Sequence, residues 1–234
     1  MPTTIYKYDE QTINSSNIIV RYSHRNRMKK SLKYVLGFLS NKSQIGYKIL
    51  DYGCGTGYFI SQINELFPDI AIGFEPIISA TYQENLAIYK NFNDVKIHAP
   101  FKIITLFEVL EHLQWNEIND ILNRCRNVLL PDGAVFISVP IELGPAVIFK
   151  EIHRYKRTKK WNYEFSELIK TVCFGKKAKR VNPDDTFMEH KGFDFRDLIY
   201  FIQQKQWTLK IIGYGPLAHK HWYGNSQIYL MLTS

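Results

Sequence analysis

The chain has 234 residues, 45% hydrophobic and 15% aromatic, with a formal net charge of +8. That length and apolar content support one domain with a proper core and exclude an intrinsically disordered chain. There is no apolar run of the ~18 residues that a membrane-spanning helix needs, and Met1 to Gln11 lacks the apolar centre of a signal peptide.

Residues 1–20 read as an irregular arm. Met28, Leu32, Val35, Leu36 and Leu39 then recur at helical spacing with basic residues opposite, so a helix is expected over 26–40, making 1–45 an N-terminal arm and helix. An apolar run over 47–52 reads as the first strand. Gly53, Gly55 and Gly57 follow at alternate positions, and Phe59, Ile60, Ile63, Leu66 and Phe67 mark a helix over 57–67 that Pro68 stops. Further elements are expected as a strand at 70–75, a helix at 78–90, a short strand at 95–98 and a strand at 101–107. The cleanest amphipathic helix covers 115–130, a Pro131-Asp132-Gly133 turn follows, and 134–139 is a strand. Residues 141–192 lack clear periodicity and read as an insertion after the core of 46–140. Asp194 is placed to cap a helix over 195–205, and strands at 207–213 and 226–233 close the 193–234 segment as a hairpin.

The three cysteines, Cys54, Cys125 and Cys173, form no C-x-x-C pair and no even framework, which points to a reducing cytoplasm. Positive charge gathers in two stretches, Arg21 to Lys33 and Lys150 to Arg180. A basic surplus of this kind suits nucleic acid, a membrane surface or an anionic small molecule.

The order strand, glycine loop, helix over Ile49–Phe59 carries the first functional signal. Glycine permits positive φ and lets a ligand approach bare backbone, and the helix start presents unpaired N–H groups. A small polar ligand is expected at the carboxyl end of that first core strand. The spacing is D-x-G-x-G-x-G, not the G-x-G-x-x-G of dinucleotide loops. With its leading Asp51 it resembles motif I of the class I S-adenosylmethionine (SAM)-dependent methyltransferases.

Three further segments carry the same resemblance in the same order: Ile70–Phe74 ending in Glu75, Ile103–Leu113, and Leu129–Pro140 with its L-x-P-D-G turn. The resemblance implies a Rossmann-like, doubly wound, seven-stranded and mostly parallel α/β sheet ending in an antiparallel hairpin. It implies SAM as cofactor, with Asp51, Gly53, Cys54, Gly55, Gly57 and Phe107 around it. Glu75 would hold the ribose, since a carboxylate can accept two hydrogen bonds from a diol. The sequence departs from the family in two places. Phe101 is followed by Lys102 where an Asp is usual, and His98-Ala99-Pro100 leaves a very short link between the expected third and fourth strands, without the usual adenine-contacting Asp or Asn.

Methyl transfer from a sulfonium leaves the protein to position the acceptor and manage one proton. The resemblance places the candidate groups just past the fourth strand: Glu108, Glu111 and His112, with His112 the best base by intrinsic pKa. The segments Arg21–Arg27, Val139–Pro145, His190–Asp194 and Asn225–Gln227 look like methyltransferases of surface-polysaccharide and glycan biosynthesis. On that likeness Glu142, Arg154 and His190 are expected on the acceptor side, and the chain is expected to O-methylate a small sugar-containing acceptor.

Two alternatives stand beside this. Glu-x-x-Glu-His is similar to the metal motif of small-RNA 3′-terminal 2′-O-methyltransferases, where Glu108, Glu111, His112 and His190 would bind a divalent ion; if helical, the i, i+3, i+4 spacing would put the first three on one face. No RNA-binding module such as an RRM or KH signature accompanies it. The short link after strand three also admits a non-catalytic binding protein on a degenerate methyltransferase fold.

Overall fold

The computed structural model describes residues 18–40, 46–77, 85–179, 190–217 and 221–234. Seven strands form one sheet in the order β3-β2-β1-β4-β5-β7-β6, parallel except at its C-terminal strands. The described residues divide into two compact units. One holds the described residues up to Phe107 together with Asn123–Phe136 and Thr233–Ser234, and the other holds those of Glu108–Leu122 and Ile137–Leu232.

In the first unit, helix α1 (Ile18–Leu39) turns Ser31, Val35 and Leu39 inward at i, i+4, i+8. It begins earlier than the expected 26. The β-branched run Ile18-Ile19-Val20 argued against helix locally, yet no proline or glycine interrupts residues 18–36. Strand β1 (Ile49–Tyr52) is buried on both faces, as parallel strands are. It pairs with β2 (Ala71–Phe74) in the register Asp51↔Gly73 and with β4 (Phe101–Phe107) in the register Asp51↔Thr105. Chain order reverses between β1 and β4, the switch point at which open α/β sheets bind ligands.

Helix α2 (Tyr58–Leu66) lies between β1 and β2 in the chain and buries Phe59, Ile60 and Ile63. At its end the Asn64 side chain donates to the carbonyl of Ala71 and accepts from its N–H, which pins the start of β2.

The third strand is not where its sequence suggested. Strand β3 is the two-residue Ile88–Tyr89, paired with β2 through Gly73↔Ile88. Val95 to His98 belong instead to helix α3 (Phe92–Lys96) and its end, capped by Asn91, whose side chain accepts from Asn93 N–H. The helix expected over 78–90 lies partly outside the described residues, and its last part contains β3. The link to β4 therefore spans residues 90–100 and is not short. A two-residue edge strand has no periodicity to detect, and its apolar neighbours Val95 and Ile97 supplied a false one.

Strand β5 (Leu129–Pro140) follows helix α4 (Trp115–Val128) without the expected turn at Pro131-Asp132-Gly133. Lys102, nearly inaccessible, forms an ion pair with Asp132 and lies over the ring of Tyr47. A Cβ on Gly133 would come within 2.9 Å of the Lys102 carbonyl. Lysine in a position where the family has Asp thus reaches from the interior to an exposed counter-ion, and the segment runs extended.

In the second unit, the segment expected to be irregular holds two helices, α5 (Ala146–Thr158) and α6 (Phe165–Phe174). Val147, Tyr163 and Ala178 form a small core with Leu168 and Val172 packed against it. Asp194 caps α7 (Phe195–Gln203) as expected, accepting from Arg196 N–H at 2.9 Å. Strands β6 (Thr208–Gly215) and β7 (Gln227–Thr233) complete the sheet. Between them Asn225, fully buried, accepts from Leu217 N–H and donates to the His221 carbonyl. Among the described residues no helix is long and apolar enough to cross a membrane, and Cys54, Cys125 and Cys173 are free thiols.

Candidate functional site

The glycine loop leaves β1 with Gly53, Gly55 and Gly57 all at positive φ. Gly53 and Cys54 N–H both donate to the Phe74 carbonyl, which ties the loop to β2. Gly57 at φ 84 starts α2, and a Cβ there would lie 2.7 Å from Leu86 Cδ1 and 2.8 Å from Ile88 Cδ1. Those contacts are tips of flexible side chains, so the φ requirement dominates. We expect Gly57→Ala to cost about 1–2 kcal/mol, read as a lower urea midpoint at unchanged slope; an unchanged midpoint would show that the loop tolerates an L-residue there. Gly55 differs, because a Cβ on it would meet nothing within 4 Å. The loop is open on that side.

Glu75, half-buried at the end of β2, reaches this loop. Its Oε2 accepts the Gly55 N–H at 3.2 Å and its Oε1 accepts the Ile77 N–H at 3.2 Å. Asp51 is buried and accepts a 2.6 Å hydrogen bond from Thr105 Oγ1. Burial pushes its carboxyl up to about 7, the Thr105 donor pulls the other way, and the nearby Glu75 charge adds to the rise. Cys54 sits under the loop, its thiol held above the usual range by burial and by the Asp51 and Glu75 charges, so it is a neutral packing group rather than a nucleophile. Phe107 packs edge-on against Phe59 at 5.1 Å.

Two partners of this loop escaped the sequence. Gly73 in β2 is needed because a Cβ would lie 2.5 Å from both Cys54 Sγ and Ile60 Cδ1. Its signal is a glycine inside a strand pattern. Thr105 was legible only as one polar residue within an apolar run. A glycine loop open beside Gly55, with a carboxylate at the end of the adjacent strand, fits a ligand carrying an amino-acid moiety and a diol, as SAM does.

Past β4, Glu108 has φ 58 and does not begin a helix. The α-helical face expected for Glu108, Glu111 and His112 therefore does not exist. Glu108 accepts from Ser138 Oγ and from Gln227 Nε2, while its N–H donates to the Ser138 carbonyl. Ser138 and Gln227, which are both buried, thus fix Glu108 apart from the histidines.

A 3₁₀ turn at Leu110–His112 buries Glu111 and leaves His112 a third exposed. Glu111 Oε1 lies 3.9 Å from His112 Nε2 and 4.0 Å from His190 Nδ1, and the two imidazoles are 4.8 Å apart. One ligand atom from each of the three residues falls within 4.8 Å of the others. Burial pushes His190 down to about 3; Glu142 opposes this, and His112, Lys150 and Arg154 reinforce it. His190 is accordingly neutral at neutral pH.

Glu142 and Arg154, expected to contact an acceptor, are placed in the interior. Glu142 is 2% exposed, with Lys150 Nζ at 2.7 Å on one oxygen and Arg154 Nη2 at 3.1 Å on the other. Arg154 also approaches the inaccessible Glu151 at 3.5 Å, and Glu151 accepts from Asn162 N–H. The basic cluster was visible in the sequence. That its first members neutralise buried carboxylates was not, because the shared partner, Glu142, lies before the helix, just past β5, and which side of α5 faces inward is set by the fold.

A family model described as a methyltransferase domain matches residues 21–175. A search of the curated proteins finds no match. Among solved structures the chain is similar to a SAM-dependent methyltransferase from Archaeoglobus fulgidus, at 11% identity and TM-score 0.55, covering 97% of this chain and 98% of that one. It is similar to the plantazolicin methyltransferase BpumL in complex with a triazolic desmethylPZN analog and SAH, at 13% identity and TM-score 0.57 over 97% and 90%. It is also similar to magnesium protoporphyrin IX methyltransferase from Synechocystis PCC 6803 with bound SAH, at 11% and TM-score 0.53 over 94% and 89%. With the family's domain matched across well over half of its length, and with the family's strand order and glycine loop, the chain belongs to the class I SAM-dependent methyltransferases.

Proposed function

We propose that this methyltransferase is a cytoplasmic enzyme that transfers the methyl group to a hydroxyl of a small, sugar-containing acceptor of a surface-glycan or nucleotide-sugar pathway. The observation that carries the proposal is the pairing of a partly exposed imidazole, His112, with a buried carboxylate, Glu111. The unpaired state of the three cysteines supports the compartment.

When bound, SAM supplies a methyl group on a sulfonium that already carries its leaving-group activation. Asp51, Gly53, Gly55 and Gly57 would hold its methionine side and Glu75 its ribose hydroxyls. His112 accepts the proton that the acceptor hydroxyl loses as its oxygen attacks, and Glu111 stabilises the resulting imidazolium and orients the ring. Neutral His190 packs against the same ring and keeps a second positive charge away from it. The glycan-like flanking segments and the basic surplus support a phosphate-bearing sugar as acceptor.

The test is methyl transfer from labelled SAM to a panel of nucleotide sugars, read by mass spectrometry. Transfer to a sugar hydroxyl is expected, and His112→Ala should lower kcat by about 10²–10⁴-fold. Transfer to nitrogen, or to no sugar while another acceptor is methylated, would reject the sugar O-methylation proposal.

A second proposal, a metal-dependent RNA 2′-O-methyltransferase, is favoured by the proximity of Glu111, His112 and His190. Two imidazoles and a carboxylate are a reasonable donor set for a divalent transition metal. Glu108 is not part of it, and Lys150 and Arg154 act electrostatically on His190. Chelator treatment separates the two: the sugar reaction should be insensitive, whereas activity on RNA that vanishes with chelator and returns with manganese would establish the second.

A further inference from the structure

Helix α5 is inside out. Its buried side carries Lys150, Glu151 and Arg154 along with Ala146 and Val147, and the charges are matched by Glu142, just past β5. Its solvent side carries Ile148, Phe149, Ile152 and Tyr155, all exposed, with Phe149 at 75%. At 100° per residue these four fall within an arc of about 120°, the width of a core-facing stripe. A surface helix ordinarily shows the reverse arrangement, and scattered single apolar residues would need no explanation. Here the apolar residues share one helix face, with Lys156 set among them, and continue past its end. Trp161, 55% exposed, stacks on Tyr155 at 4.8 Å, and α6 opens with Phe165 at 79% exposure.

Charge identifies what covers this face. Apart from Lys150, Glu151 and Arg154, which are matched on the buried side, residues 146–179 contain eight Lys and Arg against two Asp and Glu, a surplus of six in a chain whose total is +8. Lys156, Lys159 and Lys160 are exposed and sit beside Tyr155 and Trp161. A second protein copy would bring the same positive surplus to the contact and repel. A face with exposed Phe and Ile, a Trp–Tyr pair and flanking lysines matches the chemistry of an anionic membrane surface. There the apolar groups enter the acyl boundary, Trp and Tyr sit at headgroup depth, and lysines meet lipid phosphates.

We infer that the solvent face of α5, with Trp161 and the lysines that follow the helix, docks on the surface of an anionic lipid bilayer. The inference does not depend on which acceptor is methylated. It makes the chain a peripheral membrane protein, bound reversibly.

The test is co-sedimentation of the full chain with vesicles of phosphatidylglycerol in phosphatidylcholine and with vesicles of phosphatidylcholine alone. Binding to the anionic vesicles is expected, weakening as salt is raised and at least about tenfold weaker without phosphatidylglycerol. Phe149→Glu combined with Ile152→Glu should lower binding by about tenfold or more, as should Lys156→Glu combined with Lys160→Glu. Ile97→Glu, at a 78% exposed position in the other compact unit, should leave it unchanged. Circular dichroism of each variant checks the fold. As an independent readout in the unaltered helix, Trp fluorescence should shift to the blue on adding anionic vesicles, and Trp161→Phe should remove that shift. No binding at low salt, or binding that survives Phe149→Glu/Ile152→Glu, would overturn the inference. So would a dimer in light scattering that the same double variant dissociates, which would show the face covered by a second copy.

Discussion

Glu75→Ala is expected to weaken SAM binding by at least about a hundredfold while leaving the chain folded. Two hydrogen bonds from a ribose diol to one carboxylate are charge-assisted, and each such bond contributes about 1.5–3 kcal/mol. Glu75 is only half-buried, so the lower end applies, and two bonds give about 3 kcal/mol, slightly more than a hundredfold. The same substitution removes the acceptors of the Gly55 and Ile77 N–H groups, which loosens the glycine loop and acts in the same direction. Glu75→Gln keeps one good acceptor and should fall between the two. Calorimetric titration with SAM and with its demethylated product measures the effect, and thermal unfolding of the free variant separates lost binding from lost fold. Wild-type affinity in Glu75→Ala would remove this residue from the cofactor site.

The second large effect concerns stability. Glu142→Ala should destabilise the chain by about 3 kcal/mol, the lower end of the cost of breaking a buried ion pair. Lys150 and Arg154 would remain largely enclosed without their shared carboxylate. Lys150 would keep the Ile141 carbonyl at 2.8 Å, and Arg154 would keep Glu151 at 3.5 Å, which limits the loss. For a chain of this size the melting temperature should fall by roughly 6–12 °C. A variant that melts with the wild type would show that the three charges are solvated in solution.

The same group sets part of the acid limit. Burial opposes ionisation of Glu142, but Lys150 and Arg154, aided by His190, pull its pKa down to about 2 from 4.5. The folded state binds fewer protons than the unfolded one between those values, so the stabilisation is complete above about 4.5 and is lost as pH falls toward 2. His190, lowered from 6.5 to about 3, adds a loss of the same sign as pH falls below 6.5. Asp51, raised to about 7 from 3.8, has the opposite sign and recovers a little stability as pH falls through that interval.

Residues close in sequence carried their own evidence. The strand, the three alternating glycines, the helix over Tyr58–Leu66 and the acid at Glu75 follow from apolar periodicity and from the conformations glycine alone adopts freely. Both are local properties, and the position of Glu75 at the loop follows from β2 pairing with β1. The Asp194 cap was legible for the same reason, whereas the seven-stranded sheet was implied by the family resemblance.

Other features were decided by contacts between distant segments. β3 is two residues long and owes its existence to Gly73 and Phe74 of its neighbour. Lys102 displaced a turn because a buried ammonium requires Asp132. Glu108 left the histidines because Ser138 and Gln227 hold it. Helix α5 lies in a segment that showed no clear periodicity in sequence, and Glu142, just past β5, draws its charged side inward and leaves its apolar side out. Hydrophobic period locates an element, but which side faces in depends on the charges that the rest of the fold leaves to be neutralised.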